Sequence, residues 1–177
     1  MKTIIYSPGD PAGIGPDIFL SLMHEGFFEY IKANVVCMGD KELFHSRSKE
    51  LGYSLEINSF SNINDINEKV GFLEIIKCHD ISSGILNSTN SEYVIENLDF
   101  AIDTCIKKMG FGLVTGPISK ENIIEGGYSF SGHTERIMQK TNSDNVLMLL
   151  ASERLKVALA TTHMPISKVP ELSLIHI

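Results

Sequence analysis

Two short segments of the chain combine side chains that could take part in chemistry. In the first, His133, Thr134 and Glu135 open a predicted helix, so that an imidazole, a hydroxyl and a carboxylate lie within three residues. Donors grouped at the start of a helix can hold a carboxylate or hydroxyl of a small ligand. An isolated imidazole in such a position is also often a capping or packing group, and spacing alone leaves both interpretations open.

The second segment places His163 at the end of an apolar strand, directly before Met164 and Pro165. A neutral imidazole at the rim of a sheet is a common metal ligand, but sites of this kind need three or more ligands. The other interpretation is an imidazole whose hydrogen bonds are satisfied by its neighbours. The residues around His163 do not decide between the two.

Two loops rich in glycine and proline follow predicted strands. The first, residues 8–16, contains Gly13 and Gly15, which could bring backbone N–H groups close to an anion at the start of the next helix. The spacing matches neither a Rossmann fingerprint nor a Walker loop, since a third small residue and a Gly-Lys-Ser/Thr run are missing. A tight structural turn is therefore the competing interpretation of this loop.

The second loop begins at Gly116-Pro117 and leads to Lys120. Ligands of open α/β sheets bind in the crevice beyond the carboxyl ends of the strands, where Lys120 could offer a cation. The alternative is an ordinary exposed lysine on a short helix.

The elements that must position these segments alternate between strands and helices. Strands are predicted at 3–6, 34–38, 72–76, 111–115, 146–151 and 155–161, with a further short strand at 54–57, and helices at 17–25, 41–51, 91–109, 119–125 and 134–140. This alternation predicts an α/β protein with a largely parallel sheet flanked by helices. The run 111–115 is typical of a strand buried on both faces. Thr89 and Glu92 have the spacing of a capping box ahead of the longest helix.

Composition excludes several classes of protein. The 177 residues are 43% hydrophobic, which suffices for a real core, and no boundary is visible within residues 1–177. A net charge of -7 without a run of Lys or Arg argues against nucleic-acid binding, and no apolar stretch reaches the roughly 18 residues of a membrane span. Cys37, Cys78 and Cys105 lack metal spacing and are predicted to be buried free thiols. With no signal peptide visible at the start, these features predict a cytoplasmic protein.

Four segments occur in an order that resembles the 4-hydroxythreonine-4-phosphate dehydrogenase family. They are GDPAGIGP (9–16), TGPISK (115–120), GHTE (132–135) and ALATTHMP (158–165), and the resemblance runs from about Lys2 to Pro165. It implies a fold like that of isocitrate and isopropylmalate dehydrogenases, with two α/β domains around a cleft. It also implies a homodimer whose active site takes residues from both subunits.

The resemblance further implies an activity and residue roles. The family oxidises 4-phosphooxy-L-threonine with NAD (or NADP), and the product loses CO2 to leave 3-amino-2-oxopropyl phosphate for pyridoxine 5'-phosphate synthesis. His133 and Thr134 fall on the substrate-binding pair, and His163 falls on the first of three histidines that bind a divalent metal, with Zn, Mg or Co as candidates. Ser119 departs from the family, which often has a histidine there.

The family's members extend far beyond the length of this chain. The resemblance therefore implies that the C-terminal half of the fold is missing, with the other metal histidines and further substrate contacts. We expect a truncated product or fragment that is catalytically incomplete by itself. The alternatives are a relative acting on another 3-hydroxy acid or phosphate substrate, or one of the phosphate-handling acyltransferases that share this architecture.

Overall fold

The structure is a computed structural model that describes residues 2–144, 146–161 and 165–170. Its helices and strands are β1 (Lys2–Ser7), α1 (Gly15–His24), β2 (Ala33–Met38), α2 (Lys41–Glu50), β3 (Ser59–Phe60), β4 (Val70–Leu73), α3 (Ser91–Ile106), β5 (Gly112–Thr115), α4 (Lys120–Glu125), α5 (His133–Thr141), β6 (Leu149–Ala151) and β7 (Lys156–Ala158). They fall into two compact units, Met1–Thr141 and Asn142–Ile177. No helix among the described residues is long and apolar enough to cross a membrane.

The first unit is built on a five-stranded sheet in the order β3-β4-β2-β1-β5, and every neighbouring pair is parallel. Side chains alternate between its faces, so that Tyr6 joins a large aromatic cluster with Phe19, while Ile5 packs with Ala101 of α3 on the other face. Helices therefore cover both faces of the sheet, and the predicted α/β fold with a largely parallel sheet is confirmed.

Local signals explain where the helices begin. Pro16 lies in the first turn of α1, where its missing N–H costs nothing. Asp40 caps α2 by accepting from the backbone N–H of Glu42 at 2.8 Å. The capping box predicted at Thr89 is wrong, because a 3-10 turn precedes α3 and Asn87 caps that turn by accepting from the Thr89 N–H at 3.1 Å.

Several strands differ from the prediction: β4 lies at 70–73 and not at 72–76, and β6 and β7 are shorter than expected. The short strand expected at 54–57 lies at Ser59–Phe60, where Phe60 pairs with Leu73 of β4. The strand expected to be buried on both faces, β5, is instead an edge strand of the sheet. Val114 is 50% exposed and the adjoining Phe111 is 66% exposed, because no other described strand pairs with the outer edge of β5. Which strand lies at an edge is decided by the whole fold and is not encoded in five residues.

The second unit contains the antiparallel pair β6 and β7, with Leu149 opposite Ala158. The Ser152 N–H donates to the Leu155 carbonyl at 2.8 Å, which closes the hairpin predicted at residues 152–154. His163 lies outside the described residues.

The three cysteines are free. Cys37 is buried, as predicted, whereas Cys78 and Cys105 are only partly buried.

Candidate functional site

The two glycine–proline loops meet at the carboxyl end of the sheet. Ser7 of β1 and Thr115 of β5 are paired, and each is followed directly by its loop. The Asp10 N–H donates to the Pro117 carbonyl at 3.2 Å, and the Gly116 N–H donates to the Ser7 carbonyl at 2.7 Å. The loops therefore pack backbone against backbone and form one surface.

Close packing explains the glycines in these loops. A Cβ on Gly15 or Gly116 would overlap the Pro8 carbonyl oxygen, and a Cβ on Gly13 would lie 3.2 Å from the Asp10 carbonyl oxygen. The Gly15 carbonyl also accepts from the Tyr6 hydroxyl at 3.0 Å. Gly13 and Gly15 thus have a packing role in the turn, and the anion contacts predicted for them stay a prediction.

Asp10 links the first loop to α4. It is 4% exposed, and its carboxylate accepts from the Ala12 N–H at 2.9 Å and from the Asn122 side-chain amide at 3.3 Å. Burial raises the pKa of this carboxyl, and the two hydrogen bonds oppose that shift. Sequence reasoning missed this residue, although an Asp that bonds its own backbone two residues on is a known turn signal.

Arg47 holds the same loop from the side of α2. The guanidinium is 4% exposed and donates to the Asp17 carboxylate at 2.7 Å and the Pro11 carbonyl at 3.0 Å. It also forms an ion pair with Glu50 at 3.3 Å. This residue was missed as well, although it stands four positions after the buried Leu43, on the helix face that points inward.

Ion pairs fix helix α5 against α3. The Arg136 guanidinium donates to both carboxylate oxygens of Asp99, at 2.7 and 2.6 Å. One turn further along, the Lys140 ammonium donates to Asp103 at 2.9 Å. Matched spacing of four residues on both helices aligns the two pairs. The first turn of α5, which carries His133, is therefore placed by charge pairing together with the packing of Ile137 against the core.

His133 begins α5 in a half-buried position. Its Nε2 atom is buried and has no hydrogen-bond partner among the described residues, while the Phe130 ring packs edge-on at 5.9 Å. Burial lowers the pKa of His133, and the nearby Lys120 ammonium lowers it further. The imidazole is therefore neutral near pH 7. A buried nitrogen without a hydrogen bond raises the free energy of the folded protein. A ligand that forms this hydrogen bond would remove that cost, which favours binding.

The side chains of Lys120 and Glu135 lie close to Gly132, the residue before His133. The position that a Cβ on Gly132 would occupy lies 3.4 Å from the Lys120 ammonium nitrogen and 2.7 Å from a Glu135 carboxylate oxygen. Thr134 follows His133 in the first turn of α5 and is partly exposed. The structure thus brings Lys120, predicted as a rim cation, beside the predicted His133–Thr134 pair.

Replacing Lys120 with methionine is expected to raise the pKa of His133. Removing the positive charge makes imidazole protonation easier, but burial still acts, so the pKa should stay below its ordinary value. NMR titration of the imidazole carbons would measure this, with the signal assigned by His133→Gln. Lys49→Met, an exposed lysine on α2, is the control and should leave this pKa unchanged. If the pKa of His133 is the same in Lys120→Met as in the unaltered chain, the Lys120 ammonium does not lie close to the imidazole.

No group of three His, Cys, Asp or Glu side chains that could hold a metal ion occurs within residues 2–144, 146–161 and 165–170. The described residues do not form a metal site by themselves. His163, the predicted metal ligand, lies outside them.

Comparisons with known proteins identify similar sequences and folds. The family model "Pyridoxal phosphate biosynthetic protein PdxA" matches residues 31–173. The 4-hydroxythreonine-4-phosphate dehydrogenase of Sodalis glossinidius is 37% identical over 173 residues, which cover 96% of this chain and 51% of the relative. That of Vibrio cholerae is 36% identical over 174 residues, covering 96% and 52%. The chain thus spans about half the length of these curated relatives.

Solved structures share the fold. The crystal structure of a 4-hydroxythreonine-4-phosphate dehydrogenase from Klebsiella pneumoniae superposes with a TM-score of 0.82 at 22% identity, covering 97% of this chain and 54% of that one. One from Burkholderia phymatum gives 0.81 at 22% identity, covering 95% and 52%. At this identity the likeness concerns the fold.

Proposed function

Because this chain belongs to the PdxA family of pyridoxal phosphate biosynthetic proteins, we propose that it carries the substrate-binding corner of a 4-hydroxythreonine-4-phosphate dehydrogenase. The proposed reaction is the NAD-dependent oxidation of the 4-phosphooxy-L-threonine hydroxyl to a ketone, followed by loss of CO2. The observation that carries the proposal is the buried Nε2 of His133, which has no hydrogen-bond partner in the part of the chain that the structure describes and lies near the Lys120 ammonium.

The three residues would divide the work of holding the substrate. His133, neutral near pH 7, offers Nε2 as a hydrogen-bond partner, and Thr134 offers a hydroxyl one residue later. The N-terminal turn of α5 and Lys120 favour negative charge, which a substrate with a phosphate and a carboxylate supplies. Together these groups would orient the substrate rather than exchange protons with it.

The proposed function also requires a nicotinamide cofactor and a divalent metal ion. A dehydrogenase family implies a nicotinamide cofactor, which accepts the hydride, and we propose NAD over NADP. Gly13 and Gly15 are proposed to contact an anionic group of substrate or cofactor at the start of α1. A divalent ion (Zn, Mg or Co) is proposed with His163 as one ligand. The hydrogen bonds proposed for His133 and Thr134 do not require that ion. We also propose that the protein forms a homodimer and acts in the cytoplasm.

Binding of 4-phosphooxy-L-threonine to the purified chain, followed by calorimetry, tests the proposal. His133→Gln and Thr134→Val are each expected to weaken binding about tenfold, the loss of one well-placed hydrogen bond to a charged ligand. His45→Gln, an exposed imidazole on α2, is the matched control and should bind as the unaltered chain does. L-Threonine, which lacks the phosphate, should bind more weakly.

Equal affinity of His133→Gln and His45→Gln would remove the support for this site. Absorbance at 340 nm with NAD and added divalent ion then separates two outcomes. Formation of NADH means that the chain is catalytic as it stands. Binding without NADH means that it is a catalytically incomplete piece of the enzyme.

A further inference from the structure

Asn122 connects three segments of the first unit. It is buried, and its side-chain amide donates to the Asp10 carboxylate in the first glycine–proline loop at 3.3 Å. Its backbone carbonyl accepts from the Ser91 hydroxyl at the start of α3 at 3.0 Å, and its backbone N–H donates to the Ser119 hydroxyl, which caps α4, at 3.3 Å. One buried residue therefore links the loop, α3 and the start of α4.

Both distant partners of Asn122 are themselves held in place. The Asp10 carboxylate also accepts from the Ala12 N–H at 2.9 Å, and the Asp10 N–H donates to the Pro117 carbonyl at 3.2 Å. Ser91 is fully buried, and a Cβ on Gly126 would overlap its hydroxyl. Asn122 is thus bonded to two rigid points on opposite sides of α4.

The short helix α4 depends on such contacts for its position. It has only six residues, Lys120–Glu125, and a helix of this length is not stable by itself in water. Its buried residues are Asn122 and Ile123. Ile123 packs in the apolar core, where attraction has little directional preference, whereas hydrogen bonds have a defined geometry. The hydrogen bonds of Asn122 therefore fix how α4 is rotated and how far along its axis it lies.

The position of α4 in turn decides where the Lys120 ammonium lies. Lys120 is the first residue of α4, and its ammonium nitrogen lies 3.4 Å from the position that a Cβ on Gly132 would occupy. Its charge acts on the neighbouring His133 imidazole. Among the described residues the ammonium makes no hydrogen bond or ion pair that would hold it there. It is therefore kept in place by the helix that carries it.

We propose that Asn122 is a positioning residue, which holds the Lys120 ammonium beside His133 through its hydrogen bonds to the first glycine–proline loop and to the start of α3. A shift of α4 would carry the ammonium away from the imidazole and leave the helix start of α5 with less positive charge. The importance of this position for substrate binding rests on the proposed function, whereas the position itself does not.

NMR titration of His133 in the purified chain tests the proposal. Asn122→Ala removes the amide donor without adding charge, and the pKa of His133 should rise by most of the rise that Lys120→Met produces. Adding Asn122→Ala to Lys120→Met should raise it no further, because no ammonium is left to position. Asn97→Ala is the matched control. This buried amide on α3 donates to the Tyr93 carbonyl, so its loss should lower stability and leave the pKa of His133 unchanged.

Exchanging the two partners gives a second test, which also decides the matter if Asn122→Ala does not fold. Asn122→Asp alone places two carboxylates against each other and should raise the pKa of His133. Adding Asp10→Asn restores one donor and one acceptor in reversed order, so the pKa should return close to that of the unaltered chain. Three results would each overturn the proposal: an unchanged pKa in Asn122→Ala, a further rise on adding it to Lys120→Met, or an exchanged pair that titrates like Asn122→Asp alone.

Calorimetry with 4-phosphooxy-L-threonine distinguishes this proposal from the proposed function. Asn122→Ala and Lys120→Met should each bind this substrate about tenfold more weakly, as expected for the loss of one contact with a charged ligand. If the pKa of His133 moves as predicted while both affinities stay unchanged, Asn122 positions Lys120 and the proposed substrate site is wrong.

Discussion

Replacing Gly15 with alanine is expected to lower the free energy of unfolding by about 3 kcal/mol, the upper part of the range for forced overpacking. The new methyl group would overlap the carbonyl oxygen of Pro8. That oxygen belongs to the backbone and cannot rotate away as a side chain would. Either the glycine–proline loop or the start of α1 must move. Urea denaturation followed by circular dichroism would measure the loss.

Gly112→Ala is the control for this prediction. The added methyl group is the same, but Gly112 faces open space, so the change should stay within about 0.5 kcal/mol. If the two variants unfold at the same urea concentration, the close approach of Gly15 to Pro8 does not constrain the loop. Substrate binding by Gly15→Ala would then also be unaffected.

Replacing Arg47 with methionine is expected to cost about 2 kcal/mol in the free energy of unfolding, less than breaking a fully buried ion pair, because the Asp17 partner is 30% exposed. Methionine fills much of the volume but leaves the Asp17 carboxylate and the Pro11 carbonyl without their donor. Arg47→Lys should recover only part of the loss, because an ammonium cannot reach both acceptors as the planar guanidinium does. Urea denaturation of the three proteins gives the comparison.

Lys49→Met tests whether the effect is specific to the buried guanidinium. Lys49 lies two residues away on the same helix and is exposed, so its replacement should change stability by less than about 0.5 kcal/mol. A loss in Arg47→Met no larger than in Lys49→Met would show that the loop holds its shape without the guanidinium.

Much of the fold could be predicted because its helices and strands produce local patterns in the sequence. Helix α2 was expected at 41–51 and is found at 41–50, since Asp40 caps it and its buried residues, Leu43, Phe44, Arg47 and Ser48, recur along one side. The exposed edge of β5 could not be predicted, because a strand apolar on both faces looks the same whether or not a neighbour covers it. Strand order depends on contacts between distant segments, which periodicity does not report.

The positions of the candidate site residues were predicted in part, and their roles stay predictions. His133 and Thr134 lie at the start of a helix, as their spacing indicated, and Lys120 lies beside them. Asp10 and Arg47 were not predicted, because charged residues are usually exposed. Only the folded chain shows that these two are buried between the loop and its supporting helices. The metal role of His163 stays a prediction.

The contacts that attach α5 to the rest of the first unit also decide when His133 leaves the candidate site. None of its described residues is fully buried, and it is held by the Asp99–Arg136 and Asp103–Lys140 pairs together with Ile137, which packs against the core. Ion pairs at a surface weaken as dissolved salt screens them, whereas the apolar interior of the sheet does not. Dissolved salt should therefore loosen the attachment of α5, while Ile137 still holds the helix against the core. The concentration of ions around the protein would then control how often His133 is in place.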